Sequence, residues 1–210
     1  MRHLILALTL LLAAACSGAL RSSAPAAQIY ILRATNPAPT ATAAARAPGS
    51  VEVARPVAGP GLDSERIVIV QPDDRMSYYS GSRWAAELPL LVEALAIERL
   101  RGTGAWDAVH NSLSAIHSEY FLQITIRRFE AEYTTEAAPP TARVIFDCEI
   151  GQRASRTLLG SFAVEGAAVA STNRVSAVVA AFEQAANAAL TDLVAKSIAA
   201  VKSPQAPSTP

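Results

Sequence analysis

Few side chains in this chain of 210 residues could support catalysis or metal binding. Outside the N-terminal segment the histidines are His110 and His117, which lie in or beside the mostly polar stretch 111–119. The nearest carboxylates in sequence are Asp107 and Glu119, but this set does not follow a standard zinc-ligand spacing. Loop histidines are usually solvated, so we predict no metal site here.

A nucleophilic hydrolase needs a nucleophile, a general base and a residue that orients the base, and no motif marks such a set. The chain has no Gly-x-Ser-x-Gly elbow and no glycine-rich phosphate loop. Carboxylate pairs such as Asp73 and Asp74 fall in a turn, which indicates solvated charge. The sequence therefore predicts no catalytic activity and no cofactor.

Cys148 is the one cysteine in the body of the chain. It stands in an alternating run of apolar residues, which is typical of a small buried hydrophobic residue rather than a reactive thiol. If Cys16 is acylated, Cys148 has no partner for an intrachain disulfide.

The surroundings of Cys16 point to a chemical modification. It follows a short positively charged start, the apolar run 4–12 and the small residues 13–15. These features are typical of a secretory signal, and the cysteine after small residues is typical of a bacterial lipoprotein signal. In that class the sulfur takes a diacylglycerol, the chain is cut before the cysteine, and the new amine is usually acylated. The alternative is an ordinary secretory signal with an unrelated cysteine, since Ala13 replaces the usual leucine.

The remaining sequence indicates one domain without a second long apolar run. Its predicted attachment to a membrane would therefore come from acyl chains on Cys16, since two such chains bind a membrane stably. Lys+Arg and Asp+Glu number 18 each, and no basic stripe is present, which argues against binding nucleic acid. We predict a lipoprotein signal peptide at 1–15, a lipidated tether at 16–27, one domain at 28–202 and a flexible tail at 203–210.

Alternation of apolar and polar residues predicts the strands. The clearest are 120–130 and 143–150, joined by a hairpin loop at 135–140. In a strand within 156–169, the predicted apolar positions are Leu158, Phe162 and Val164. Further strands are predicted at 28–33, 51–57, 66–71, 76–79 and 105–109. Pro56 would end the strand at 51–57 or place it at an edge of the sheet. The strand at 76–79 would form a hairpin with the strand at 66–71.

Helical spacing predicts two helices. The first carries Leu88, Leu91 and Leu95 on one face and ends at 102–104; the second spans 173–201. The second would be roughly 40 Å long. Its cap would be Ser171, Thr172 or Asn173. The predicted fold class is α/β: a two-layer sandwich with a mainly antiparallel mixed sheet packed by two main helices.

The segment 78–84 is the other candidate functional region. Tyr78 and Tyr79 are adjacent on a predicted strand, so they should face opposite sides and one could be exposed. Trp84 could fasten the first helix to the sheet, or it could anchor a partner together with Arg83, because Tyr, Trp and Arg are enriched at interfaces. Both roles remain open at this stage.

A family resemblance rests on the stretch 58–68, on Met76-Ser77-Tyr78-Tyr79 and on Arg83-Trp84-Ala85. With Tyr30-Ile31-Leu32 as first strand, these residues resemble the ABC-type transport auxiliary lipoproteins, the family of paraquat-inducible lipoprotein C. The likeness covers about 28–201. The chain departs from the family in having Ser64-Glu65-Arg66 where Arg-Pro-Gln is frequent, and in a long proline-alanine segment after the first strand.

The resemblance implies a non-enzymatic protein on the periplasmic face of the outer membrane. It would serve a mammalian-cell-entry-type lipid transport system and dock a tunnel-forming periplasmic substrate-binding protein. Homo-oligomer formation and contact with phospholipid in transit are also implied. The partner surface would include Tyr78, Tyr79, Arg83 and Trp84. Two other classes stay open: a structural or assembly lipoprotein that activates an envelope synthase or supports lipopolysaccharide export, and a periplasmic hydrolase.

Overall fold

The computed structural model describes residues 26–35, 46–135 and 137–203. The predicted signal peptide, Cys16, most of the tether and nearly all of the tail lie outside these residues. The described part forms nine strands and two helices: β1 Gln28–Tyr30, β2 Ser50–Val53, β3 Val57–Ala58, β4 Arg66–Val70, β5 Met76–Trp84, α1 Leu88–Gly102, β6 Ala108–Asn111, β7 Tyr120–Glu132, β8 Thr141–Gln152, β9 Thr157–Val169 and α2 Val175–Lys202.

β7 is the centre of the sheet. On one side it pairs antiparallel with β8, and β8 pairs antiparallel with β9, over twelve Cα partner pairs in each case. On the other side β2, β3 and β4 follow one another along β7, each parallel to it. β6 lies beside β2, while β5 and then β1 continue the sheet beyond β4. The two long ladders are antiparallel and the short ones mostly parallel, which confirms the predicted mixed sheet.

The core lies between the sheet and the two helices. The alternation predicted for β7 is present, with Leu122, Ile124 and Ile126 fully buried. A bulge between Ile126 and Arg128 then shifts the register, so that Phe129 faces the core. The helices cover one face of the sheet, which confirms the two-layer sandwich.

A second irregularity places one apolar residue of β9 outside the core. The β8–β9 register shifts between Ile150 and Gly151, beside the turn. As a result Leu158 is 54% exposed, whereas Val164 is buried as predicted and Phe162 is half-buried. Leu158, an apolar position of the predicted strand, therefore lies on the outer face, because a shift of one residue turns a side chain to the other face.

The segment 51–57 is interrupted rather than one strand. β2 ends at Val53 and β3 begins at Val57, so Pro56 lies in the gap between them. β2 is an inner strand, paired with β6 and β7. Proline ends a strand here because it has no N–H to donate to a neighbour.

α1 agrees with its prediction, with Pro89 in the first turn and an end at Gly102. α2 has 28 residues, which corresponds to about 42 Å. Its N-cap is Arg174, without a side-chain cap bond, so the predicted caps at 171–173 are wrong. Asn173 instead accepts a hydrogen bond from the Tyr133 hydroxyl, at 2.6 Å.

Small residues let α2 lie directly on β9. A Cβ added to Gly166 would be 2.0 Å from the Ala185 carbonyl oxygen, and one on Gly160 would be 2.9 Å from the Ala200 Cβ. The face of α2 at this contact contains Ala181, Ala185 and Ala189, all buried. The high alanine content of the sequence therefore serves a very close helix–sheet packing.

Candidate functional site

The β4–β5 hairpin carries the predicted candidate residues. β4 and β5 pair antiparallel, with Val68 opposite Tyr78 and Arg66 opposite Arg83. β5 therefore has extra residues between these two pairs, around Gly81, which has φ +64°. Glycine adopts this left-handed conformation without the steric cost of a side chain. The irregularity places the Tyr pair and the Arg83–Trp84 pair on separate parts of the hairpin.

The outer face of the hairpin is partly apolar and partly basic. The Arg66 guanidinium lies 4.7 Å from the centre of the Tyr78 ring, in cation–π geometry. Met76 is 45% exposed and packs against Gly61, where an added Cβ would be 2.7 Å from its sulfur. Arg83 is half-buried and forms an ion pair with Glu65. This outer face presents an aromatic ring, a thioether and two guanidinium groups.

Tyr79 points away from this face, as predicted for adjacent strand residues. Its hydroxyl lies 2.8 Å from that of Tyr133, which donates to Asn173 before α2. Burial raises the pKa of Tyr79 far above its ordinary value, and the bond to Tyr133 adds to this. Tyr79 therefore remains a neutral phenol that ties β5 to the start of α2.

Trp84 belongs to the core. It is 1% exposed, and its ring meets Phe129 and Phe182 edge-on, at centroid distances of 5.9 and 5.3 Å. Phe129 and Phe182 stack on each other at 5.0 Å. These three rings join β5, β7 and α2. Trp84 thus has a fastening role, with its ring contacts reaching α2, and it cannot contribute to an exposed partner surface of this domain.

A feature that sequence reasoning missed is the strap, residues 31–35, which follows β1 and crosses the two helices. Asn187 of α2 holds it from both sides: the side-chain oxygen accepts from the Thr35 N–H at 2.6 Å, and the side-chain nitrogen donates to the Arg33 carbonyl at 3.0 Å. Glu183 accepts from the Arg33 N–H at 3.0 Å. Polar side chains on a helix give no sequence sign of such backbone partners.

Arg99 of α1 completes the strap contacts. It is 6% exposed and donates to the Thr35 carbonyl and, at 2.6 Å, to the Thr191 hydroxyl. Loss of hydration lowers the pKa of Arg99. Among the described residues no carboxylate forms an ion pair with it, so this cation is stabilised by neutral oxygens. β1 and the strap are the segments that continue from the predicted tether.

Replacing Asn187 with alanine is expected to loosen the strap without unfolding the domain. Two hydrogen bonds worth about 1 kcal/mol each disappear, so exchange of the Thr35 amide should accelerate about tenfold or more. Hydrogen exchange measured by NMR checks this, with the exposed neighbour Gln184 changed to alanine as the control. Unchanged exchange at Thr35 would show that Asn187 does not hold the strap.

The other sequence candidates are placed as follows. Cys148 is buried, which confirms its structural role, and burial raises the pKa of its thiol to about 12. His110 is half-buried on β6, with Nδ1 3.5 Å from the Ser114 hydroxyl, while His117 is exposed in the next loop. Within residues 26–35, 46–135 and 137–203, no three His, Cys, Asp or Glu side chains converge as metal ligands would. Over the same residues no helix combines the length and apolarity needed to cross a membrane.

Comparison of the fold with solved structures places it in an existing structural class. The chain is similar to protein XCC0632 from Xanthomonas campestris, described as a member of family DUF330, with TM-score 0.68, 25% identity, and 82% of this chain and 96% of that chain covered. It is also similar in fold to a second crystal structure, of an uncharacterized protein, with TM-score 0.63, 12% identity, and coverage of 82% and 99%. Curated protein sequences give no match.

The family model for the ABC-type transport auxiliary lipoprotein component matches residues 30–195. The chain therefore belongs to this family, which confirms the resemblance seen in the sequence. The family comprises lipoproteins associated with ABC-type transport and is not a class of enzymes.

Proposed function

We propose that this protein is a non-enzymatic, lipid-anchored periplasmic component of an ABC-type, mammalian-cell-entry-linked lipid transport system. Acyl chains on Cys16 would hold it at the periplasmic face of the outer membrane, where it would dock the tunnel-forming substrate-binding protein. The family match over residues 30–195 is the observation that carries this proposal. Homo-oligomer formation and contact with phospholipid belong to the same proposal.

The structure supplies a mechanical basis for anchoring. β1 is an edge strand with three register pairs to β5, and the strap behind it is tied to both helices. The tether from Ser17 to Ala27 spans at most about 35 Å when extended. A pull on the lipid anchor would therefore act on β1 and the strap. The extended length of the tether would limit how far the rest of the domain could lie from the membrane.

The outer face of the β4–β5 hairpin is part of the proposed partner surface. Of the residues predicted for it, Tyr78 and Arg83 lie there, half-buried, and Arg66 and Met76 extend it. Tyr79 faces the other way, and its hydroxyl is already used by Tyr133. The side chains on this face are of the kinds enriched at protein interfaces.

A Cys16→Ser chain is expected to lose its membrane attachment, because the thiol that would take the lipid is gone. In cell fractionation the variant should appear in the periplasmic fraction instead of the membrane fraction. For the native protein, mass spectrometry of the N-terminus should show a diacylglycerol adduct on Cys16. Cys148→Ser is the matched control and should remain at the membrane. An unmodified Cys16 thiol in the native protein would contradict anchoring.

Transport is tested by isolating the native protein from membranes in mild detergent. The proposal expects an ABC permease, its ATPase and a tunnel-forming protein to co-purify. Cells lacking this protein should accumulate the transported lipid on one side of the envelope. Co-purification with an envelope synthase instead would favour the assembly class and contradict the transport role.

A further inference from the structure

The strand registers place the tether and the loop before β7 at opposite ends of the domain. β1 runs parallel to β5, β5 antiparallel to β4, and β4 parallel to β7. β1 is therefore antiparallel to β7, so the tether leaves the domain toward the end where β7 finishes. The loop 112–119 directly precedes β7 and lies at the other end, which we call the distal end.

The distal end exposes large apolar side chains on an ordered loop. Leu113 is 89% exposed and Ile116 is 62% exposed. The Ser114 N–H donates to the Asn111 carbonyl at 3.1 Å, and the Ser114 hydroxyl accepts from the Ile116 N–H at 3.2 Å. Because these bonds set the loop conformation, the two aliphatic side chains are presented to solvent in a defined arrangement.

A groove of about 710 Å³ separates this loop from α1. Its apolar lining includes Leu90, Ala94, Ile97 and Leu113. Leu90 is itself 41% exposed. The groove has the size and the mainly apolar lining of a binding site rather than of a packing fault.

The charges around the groove favour a basic occupant. Glu93 and Glu98 line it, and it runs along α1 from Leu90 in the first turn to Gly102 at the last residue, so the negative C-terminal end of the helix dipole lies at one end of the groove. Arg101 is the opposing cation, but its guanidinium is occupied, with Nε and one Nη donating to the Val109 carbonyl at 3.1 and 2.7 Å. These bonds to a neutral carbonyl fix the position of the guanidinium but leave its charge in place, so two carboxylates face one cation and the groove has one negative side-chain charge in excess.

We propose that this distal groove docks an amphipathic helix of a partner protein, with aliphatic side chains against Leu90 and Leu113 and lysine or arginine side chains toward Glu93 and Glu98. An occupant with aliphatic residues on one face and cations beside them matches both the lining and the charge. The proposal rests on the proposed function in one respect: the tether fixes the opposite end at the membrane, so the distal end points away from that membrane.

The first test measures binding of a synthetic amphipathic peptide to the full chain in detergent micelles. The peptide has about 15 residues, leucines at helical spacing and lysines elsewhere. The control peptide carries glutamate in place of each lysine. We expect the basic peptide to bind at least tenfold more tightly than the acidic one, with NMR shifts concentrated at 90–102 and 111–116. Equal binding of the two peptides would overturn the proposal.

Matched variants locate the site. Leu113→Ser and Glu98→Lys should each weaken binding of the basic peptide about tenfold. Leu158→Ser and Glu165→Lys make the same changes at exposed positions on β9 and should leave binding of the basic peptide unchanged. All four positions are on the surface, so melting temperatures should stay close to that of the parent. If the β9 variants weaken binding of the basic peptide to the same extent, the distal groove is not the binding site.

Photo-crosslinking in cells identifies the natural occupant. A photoreactive residue at position 113 should attach to a segment of another protein that has aliphatic residues at helical spacing and basic residues beside them, and one at position 158 should not. Attachment to a second copy of this chain would overturn the proposal. A variant that ends at Ser203 and binds the peptide more tightly than the full chain would also overturn it, because the C-terminal tail would then be the natural occupant of the groove. If the native protein has an unmodified Cys16 but still binds the basic peptide as expected, the proposed function is rejected and the proposal for the distal groove is retained.

Discussion

Gly166→Ala is expected to cost about 3 kcal/mol or more of unfolding free energy. The added methyl group would meet the Ala185 carbonyl oxygen at 2.0 Å and the Ala189 nitrogen at 3.1 Å. Both atoms belong to the backbone of α2, so no side-chain rotation can relieve the overlap. Either α2 must move away from β9, which opens the core, or the strand must distort.

Guanidinium denaturation followed by circular dichroism measures this cost. Gly81→Ala is the matched control, because an added Cβ there meets no atom within 4 Å. Gly81 has φ +64°, so its substitution should cost only about 1 kcal/mol of backbone strain. Equal losses at the two positions would show that close packing of α2 on β9 is not what Gly166 provides.

Trp84→Ala is expected to destabilise the domain by about 3–5 kcal/mol. The substitution removes the ring that contacts Phe129 and Phe182, and the cavity would lie where β5, β7 and α2 meet. Because Trp84 is 1% exposed, the loss should be in stability. Any loss of partner binding should follow from unfolding.

The separation of folding from docking needs two further variants. Trp84→Phe keeps an aromatic ring in the cluster and should recover much of the stability lost by Trp84→Ala. Tyr78→Ala, on the outer face of the hairpin, should change stability by only about 1 kcal/mol but should weaken partner binding. A Trp84→Ala chain with an unchanged denaturation midpoint would refute the core role.

The long strands and both helices could be predicted from the sequence because their apolar residues repeat at the period of each structure. Leu122, Ile124 and Ile126 alternate through β7, and Leu88, Leu91 and Leu95 follow one helical face. Cys148 was predicted to be buried for the same reason. These patterns depend only on residue order, so they remain readable without a structure.

Local breaks in those patterns were not predictable. The register shifts after Ile126 and Ile150 depend on how two strands align, and they decide which face Phe129 and Leu158 occupy. The position of the N-cap of α2, at Arg174 instead of Asn173, likewise involves the hydrogen bond of Asn173 with Tyr133, from a distant strand. A sequence window contains one partner of each interaction and lacks the other.

The candidate surfaces show the same division. The sequence identified the Tyr78–Trp84 segment, but burial assigns Trp84 to the core and leaves Tyr78 at the surface. The strap was missed because Asn187 and Arg33 are 154 residues apart. The distal groove was missed because Leu90 and Leu113 come together only when α1 and the loop before β7 fold against each other.

The sequence by itself determined the family, the two-layer α/β class and the expectation of a lipid on Cys16, because motif order and apolar periodicity are properties of the chain. Only the tertiary structure decided which end of the domain faces away from the tether, which rings form the core and how closely α2 approaches β9. Those features depend on contacts between residues far apart in sequence, and their energies arise only when the elements are packed together.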